Sequence, residues 1–400
     1  MRITDVQVIT LRHEYPPDEG FWFCGGYCTG RLSCLVRVHT DAGITGIGSV
    51  YSHPDLVRTI VEGQLRDLLL GEDPCDFEAL WDRGYGLTRW YGRKGAAVSA
   101  LGGVDTALWD IRGKAAGLPV YKLLGGGRDR VPAYASAILW KDDPAELADE
   151  AACHVARGFR AMKMRLGRDY DYDCAAIRSV RDRVGPDIRL MVDGNARYTL
   201  AQAERISPVL RSCGVFWFEE PFLPENPDTF LALRPSLGIP LAAGENEFGL
   251  QGFRELVDRR VVDIVQPDCS RSGGITECRR IAALASRHDL RVATHSWSDA
   301  VAIVANAHLI ASLPNGLTVE IDRTGNPLVD DLLSQPLQLI DGELVVPQGP
   351  GLGIELREDA LRRYSLPRGE AIPPGNYSDM VFGRTFYTPQ RPYEPVALGA

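Results

Sequence analysis

The sequence predicts an α/β protein built around an eight-stranded parallel (β/α) barrel of the TIM-like kind, with an α+β unit before it. Two observations predict this. From about residue 131, short β-rich runs alternate with helical stretches of roughly ten to fifteen residues, as successive βα units of a parallel sheet do. Ahead of that point the order is strands first and helices after, which is the texture of a separate α+β unit. A chain of 400 residues has room for both, since a barrel takes about 200 to 250.

The first unit is placed at residues 1–128. Its opening, MRITDVQVIT, alternates polar and apolar residues like a half-buried strand, and LVRVHT and ITGIGSV follow across the turn signal Asp41-Ala42-Gly43. LVRTIVEGQLRDLLLG and AAVSALGGVDTALWDIRGKAAG then carry apolar residues at helical spacing, and Gly117-Leu118-Pro119 is a stop signal. The barrel is placed at 129–325, with strands VPAYASA, FRAMKMR, IRLMVDG, VFWFEE, PLAAGE, VDIVQPD, RVATHS and LTVEID. Helix starts lie between them, at Asp143-Pro144, Thr199 and Gly274-Ile275-Thr276-Glu277. Residues 326–365 contain a further hairpin, LQLIDGELVV, and are expected to pack back on the first unit. The tail, 366–400, is rich in Pro, Tyr and Gly and reads either as an ordered arm on a neighbouring subunit or as a loose end.

A net charge of −9, with no Lys/Arg run to offset it, argues against nucleic-acid or membrane-surface partners. Nine cysteines without CxxC pairs, with Cys153, Cys174 and Cys278 in predicted helices, read as reduced thiols of a cytoplasmic protein. No apolar run approaches the length of a membrane span, and the N-terminus reads as a strand rather than a signal peptide.

Polar residues recur at the predicted C-terminal strand ends, where barrel enzymes carry their chemistry. These are Lys163 and Arg165, Asp193, Glu219, Glu245, Asp268, His295 and Glu320, and from Asp193 onward they are 23 to 27 residues apart, one βα unit each. Asp193, Glu219 and Glu245 on adjacent strands would repel one another without a cation, and an all-oxygen set suits Mg2+ better than Zn2+. Taken singly, each acid reads equally well as a helix cap or a surface ion-pair partner. Lys163 and Arg165 share a strand face, as anion binders or as structural counter-charges to the acids. A lysine beside Mg2+ has a lowered pKa and can act as a base, which arginine cannot. Asp268 and His295 lie on neighbouring strands and can pair as carboxylate and imidazole. Glu320 can add a hydrogen bond from its protonated form. His13, His39, His154, His288 and His308 read as surface or core residues. Together the parts suit the removal of a proton next to a carboxylate, with Mg2+ stabilising the enolised intermediate.

These residues resemble the enolase superfamily, and within it the mandelate racemase and muconate lactonizing group, a superfamily known for Lys or His bases used with Mg2+. The likeness spans about residues 1 to 365 and rests on VDTALWDIRGKAAGLPVYKLLGG, KMR at 163–165, VDGN, WFEEP, GEN, QPD, ATHS and VPQGPGLGIEL, in that order. The resemblance implies a (β/α)7β barrel under an α+β capping domain formed by the N-terminal and C-terminal segments. It implies one Mg2+ per subunit on Asp193, Glu219 and Glu245, a His295–Asp268 acid/base dyad, and a homo-oligomer from dimer to octamer. GENEF and QPDCSRSGGITE look like the group's acid-sugar dehydratases, which implies a sugar-acid carboxylate substrate and a 2-keto-3-deoxy product. The group's usual Lys-x-Lys is here Lys163-Met164-Arg165, which removes the second base and disfavours racemisation. Lys163 would then neutralise the substrate carboxylate, with Arg165 holding it or a distal one. Asn195 is a candidate substrate contact. In the glycine- and aromatic-rich segment from Glu19 to Arg31, Phe21, Trp22 and Tyr27 read either as a lid over the pocket or as ordinary packing. Tyr51, His53, Trp90 and Arg93 are further candidates. The alternatives are a racemase, epimerase or lactone cycloisomerase of the same superfamily, or a ligand-binding relative without catalysis.

Overall fold

The computed structural model describes residues 1–23, 26–373 and 375. In chain order, the cap begins with β1 (Ile3–Glu14), a small hairpin of β2 (Phe21–Phe23) and β3 (Gly26–Cys28), then β4 (Gly30–Thr40) and β5 (Thr45–Val50). β1, β4 and β5 form one antiparallel sheet in that order, with Val8 opposite Val36 and Val36 opposite Gly48. Helices α1 (Pro54–Ile60) and α2 (Arg66–Leu69), joined by a π-turn, lead to α3 (Phe77–Thr88), α4 (Ala96–Ala116) and α5 (Val120–Leu123).

The barrel strands are β6 (Arg130–Ser136), β7 (Ala161–Arg165), β8 (Arg189–Asp193), β9 (Val215–Glu219), β10 (Leu241–Ala243), β11 (Ile264–Val265), β12 (Arg291–Thr294) and β13 (Gly316–Asp322). All eight pair in parallel, and β13 closes on β6. Seven helices connect them: α6 (Pro144–Ala156), α7 (Tyr170–Val184), α8 (Leu200–Ser212), α9 (Pro227–Leu237), α10 (Gly249–Asp258), α11 (Gly274–Arg287) and α12 (Ala300–Ser312). This is a (β/α)7β barrel under an α+β cap. The helix starts obey their local chemistry. Asp143 accepts from Ala145 N ahead of Pro144, and Thr199 and Gln202 close a reciprocal capping box.

The interior of the barrel follows from the two-residue period of a strand. Met191, Trp217 and Ala293 point inward and pack with Tyr134, Ala242 and Ile264 as an apolar plug. Two residues further along the same strand faces stand Asp193, Glu219 and His295, so the polar ring sits directly above the plug.

Helix α4 joins the two units. It is buried nearly all round because one side meets the cap sheet and another the barrel. A Cβ on Gly48 would lie 2.1 Å from Gly103 O, and one on Gly102 would lie 2.6 Å from Gly274 N, so glycines admit both contacts. Two buried acids of this helix serve backbone donors. Asp105 accepts from Thr276 N at the start of α11, while Asp110 accepts from Ile47 N in β5 and Leu352 N in the C-terminal segment.

That last segment packs back on the cap and also reaches the barrel. α13 (Pro327–Asp330) is followed by β14 (Leu339–Ile340) and β15 (Glu343–Val345), and β15 pairs antiparallel with the first residues of β6 in the barrel. Beyond it the chain meets α4, forms α14 (Glu358–Arg363) and returns to β1, where Leu366 N donates to Thr10 O. Most of the 366–400 tail lies outside the described residues. The eight cysteines among the described residues are free thiols, and no described helix is long and apolar enough to cross a membrane.

The glycine contacts make a paired prediction. Gly48→Ala forces a methyl against a backbone carbonyl and should cost about 1–3 kcal/mol in urea unfolding. Gly63→Ala meets nothing within 4 Å and should leave stability unchanged or raise it by up to about 1 kcal/mol. Equal losses at the two positions would contradict the packing described.

Candidate active site

The strand-end residues converge at the C-terminal mouth of the barrel. Strand register accounts for their proximity: Arg165 is paired with Asp193, and Asp193 with Glu219, on neighbouring strands. Same-face residues on adjacent strands stand about 4.8 Å apart, so their side chains share one space. Lys163, Asp193, Glu219, Asp268, His295 and Glu320 are all at most 3% exposed.

Each carboxylate of the triad has an inner oxygen facing the others. The outer oxygen of Asp193, Oδ1, accepts from Asn195 N at 2.9 Å. That of Glu219, Oε2, accepts from Trp217 Nε1 at 2.9 Å and Gln266 Nε2 at 2.8 Å. The inner oxygen of Asp193, Oδ2, is contacted by Arg165 and lies 3.3 Å from Lys163 Nζ, which also contacts Glu219 Oε1 and reaches Glu320 Oε1 at 3.0 Å. Glu245 Oε2 is buried with no hydrogen-bond partner among the described residues.

The residues fit a hard divalent cation. One oxygen from each of Asp193, Glu219 and Glu245 lies within 4.8 Å of the others, a span that oxygens bonded at about 2.1–2.6 Å to one ion can close with small movements. Charge points the same way. Five buried or nearly buried carboxylates (Asp193, Glu219, Glu245, Asp268, Glu320) face three cationic groups (Lys163, Arg165, protonated His295), leaving two negative charges.

His295 Nδ1 donates to Asp268 Oδ2 at 2.9 Å, which directs Nε2 into the mouth, 3.8 Å from Glu245 Oε2 and 4.0 Å from Glu320 Oε2. Burial lowers the imidazole pKa, but the carboxylates of Glu245 and Glu320 and the Asp268 hydrogen bond outweigh it and carry the value up to about 9. Asp268 is held in turn by Ser270 N at 2.8 Å and Asn306 Nδ2 at 2.9 Å.

Two of the expected roles turn on charge state, first that of Glu320. Burial favours its neutral form, but Lys163, His295 and Arg165 hold it far below the usual carboxylate range, and Oε2 accepts from Ser296 N at 2.7 Å. Lys163 is held well above the ordinary lysine range, because Glu219 and Glu320 outweigh its burial. A lowered lysine pKa therefore requires these carboxylates to be engaged elsewhere.

Among the candidate substrate contacts, Tyr51 is buried with its ring 5.8 Å from that of His295. Asn195 takes a left-handed conformation, φ 40°, and its main-chain N–H serves Asp193. Trp22 is half exposed, packs on Tyr27 and forms a backbone bridge with Trp140, just past the end of β6, which places it at the rim. Phe21 turns inward toward Trp297. His53 instead caps α1, its Nδ1 accepting from Asp55 N at 3.2 Å. Trp90 is exposed on the cap surface.

Several supporting residues were not singled out from the sequence. Gln266 and Trp217 hold Glu219, and Asn306 and Ser270 hold Asp268. Glu220, buried behind the triad at φ 31°, accepts from Asn246 Nδ2 at 2.7 Å, and burial together with Glu245 raises its pKa to about 8. For Trp217 the signal was present: it sits two residues before Glu219 on the same strand face.

Comparisons with known proteins agree with this geometry. Residues 28–125 match the mandelate racemase/muconate lactonizing enzyme N-terminal domain, and residues 146–360 match the enolase C-terminal domain-like family. The chain is 36% identical to a D-galactarolactone cycloisomerase from Agrobacterium fabrum, over 92% of this chain and 100% of that one. It is 35% identical to an arabinonate dehydratase from Saccharolobus solfataricus, over 82% of this chain and 89% of that one. The crystal structure of a racemase from Streptomyces coelicolor with bound magnesium superposes with a TM-score of 0.84 at 30% identity, covering 91% of this chain and 100% of that one. A barrel mouth with three metal-ready carboxylates and a His–Asp dyad, under a cap matching along its length, is therefore that of an enzyme: the chain belongs to the mandelate racemase/muconate lactonizing enzyme family of the enolase superfamily.

Proposed function

We propose that the protein is a Mg2+-dependent dehydratase of a sugar acid, an aldonate or an aldarate, yielding a 2-keto-3-deoxy acid. The observation that carries this reading is an asymmetry: His295 Nδ1 is held by Asp268 so that Nε2 faces the mouth, while the strand-end position of β7 opposite Asp193 carries Arg165, which keeps its proton. Sugar-acid dehydratases and cycloisomerases among the relatives support the substrate class.

In this reading Asp193, Glu219 and Glu245 would hold the ion, which would supply Lewis-acid stabilisation of the charge that develops on the substrate carboxylate. Lys163 lies beside the same carboxylate site and adds positive charge. His295 Nε2 takes the α-proton, Asp268 fixing Nδ1–H so that Nε2 is the nitrogen that reacts. The electron pair of the broken C–H bond passes into the carboxylate, giving an enediolate. As that pair returns to form the Cα–Cβ double bond the β C–O bond breaks, and the imidazolium gives its proton to the departing hydroxide as water. The enol tautomerises to the 2-keto acid. One histidine serves both steps, so arginine at 165 is no obstacle. A second reading keeps the first step and expels a ring oxygen instead of water. It is favoured by the 36% identity to a lactone cycloisomerase over the full length of that relative.

A library of aldonates, aldarates and their lactones, incubated with Mg2+ and assayed for 2-keto products as semicarbazones, tests the proposal. Product from an open-chain acid supports dehydration. Product from lactones alone favours the cycloisomerase, and solvent deuterium at the α-carbon without loss of water sinks the dehydratase. His295→Asn should lower kcat by roughly 10^2- to 10^4-fold while Mg2+ still binds. Unchanged turnover removes His295 from the mechanism.

The charge balance also predicts how the base is unmasked. With Mg2+ removed by chelation, His295 should titrate near pH 9, protonated below and neutral above. Glu245 raises that value, so a divalent cation neutralising Glu245 should lower it, as should Glu245→Gln. Histidine NMR across pH measures both shifts, and an imidazole pKa unmoved by Mg2+ would refute the coupling.

A further inference from the structure

We infer that a cleft outside the ends of β7 and β8 is a second binding site, for a small phosphate-type dianion: inorganic phosphate, or the phosphate group of a phosphorylated sugar acid. None of the strand-end residues of the mouth lines this cleft, so the site stands apart from the chemistry proposed there.

The cleft is bounded by the loops that leave β7 and β8 and by the starts of α7 and α8. Its volume of about 90 Å3 is several times what one water needs, so a compact anion fits. Arg168, Arg197 and Arg205 all line it, a concentration of positive charge in a chain whose net charge is −9.

Each guanidinium lies against an aromatic ring. The Cζ of Arg205 is 3.6 Å from the centre of the Tyr170 ring, that of Arg168 is 4.5 Å from Tyr172, and that of Arg197 is 5.5 Å from Trp140. A ring face fixes the plane of a guanidinium without cancelling its charge or covering its N–H edge. Arg168 Nη1 also donates to Lys141 O at 2.8 Å, and Arg197 Nε to Gly167 O at 3.0 Å. These carbonyls are neutral, so the bonds anchor the side chains and remove no charge. Arg168 meets Asp142 at 3.4 Å, where the acid is fully exposed and the pairing is weak. Arg205 has no acidic partner among the described residues.

Two acids share the cleft, and both are committed elsewhere. Asp173, 1% exposed, accepts from Gly167 N at 3.0 Å, Arg168 N at 3.3 Å and Tyr198 Oη at 2.6 Å. Asp169 caps α7, accepting from Tyr172 N at 2.9 Å. Three cations against two such acids leave a positive surplus for a ligand to meet. Arginine forks pair with phosphate oxygens two at a time, and a tetrahedral oxyanion offers oxygens to three forks from three segments, where a carboxylate offers two in one plane. Because Gly167 and Arg168 follow Arg165, and Arg197 and Tyr198 follow Asp193, an anion held here would brace both loops behind the mouth.

Calorimetric titration of the protein, stripped of metal with EDTA and at low ionic strength, tests the site with inorganic phosphate, 6-phosphogluconate and glucarate in separate runs. Wild type should bind phosphate in the millimolar range or tighter. Arg205→Ala and Arg168→Ala should each weaken it roughly tenfold, the loss of one charge-assisted contact. Arg183→Ala, an exposed arginine paired with Asp149 near the far end of α7, should bind as wild type does. Phosphate should also raise the Tm of wild type and of Arg183→Ala more than that of Arg205→Ala, and the same melts show that each variant folds. A wild type that does not bind phosphate, an Arg205→Ala that binds it equally well, or an Arg183→Ala that loses as much affinity, overturns the assignment. Tighter binding of 6-phosphogluconate than of phosphate, lost in Arg205→Ala, supports the site and makes a phosphorylated sugar acid its ligand. Tighter binding of phosphate supports it with the free ion. Glucarate bound in preference to both, and weakened by Arg205→Ala, makes this a carboxylate site and overturns the phosphate reading.

Discussion

The structure depends on a compensated cluster of buried charge. Asp193, Glu219, Asp268 and Glu320 are fully removed from water, and Glu245 nearly so. Carboxylates so close are strongly unfavourable unless each finds a cation or hydrogen-bond donors. The barrel supplies them by register, since Lys163 and Arg165 on β7 stand one strand from Asp193 and two from Glu219. It also supplies fixed donors from beneath and beside, among them Trp217, Gln266 and Asn306. The residual negative charge is what a divalent cation would cancel. Metal binding and the stability of the mouth are thus one electrostatic problem.

The cap completes that mouth and is bound to the barrel by interactions of long sequence separation. Arg31, at the start of β4, pairs with Asp322 at the end of β13 and lies over Trp297. Ser33 and Ser49 in the cap sheet donate to Asp299, which also caps α12. The cap sheet is therefore tied to the C-terminal ends of the strands that lead to His295 and carry Glu320. Tyr51 follows directly from β5 and comes within 5.8 Å of the His295 ring. A change in cap geometry can therefore reach the His295 imidazole through Tyr51.

Much of the barrel and of its mouth was legible in the sequence, for a reason specific to this fold. Barrel chemistry sits at strand ends, and one βα unit has a nearly constant length, so Asp193, Glu219, Glu245, Asp268, His295 and Glu320 announced themselves by spacing. The roles that escaped depend on partners distant in sequence. Nothing near Asn306 signals that it holds Asp268, 38 residues away on another element, and nothing near Arg31 signals Asp322, 291 residues on. The pull on the Glu320 pKa is illegible for the same reason, coming from Lys163, His295 and Arg165 rather than from its neighbours in the chain. Asp105 and Asp110 stand in a motif that carries the family resemblance. Their partners are backbone N–H groups of β5, α11 and the C-terminal segment, so that motif marks how cap and barrel are joined rather than chemistry.

Arginine at position 165 changes more than the number of bases. A lysine there could share the metal face at one moment and give up its proton at another, because its charge is conditional. Arginine's charge is permanent. The site must therefore keep that charge beside an anion, and Asp193 is one that it meets. Under the proposed function, the same permanent charge favours an anionic substrate and leaves proton transfer to His295.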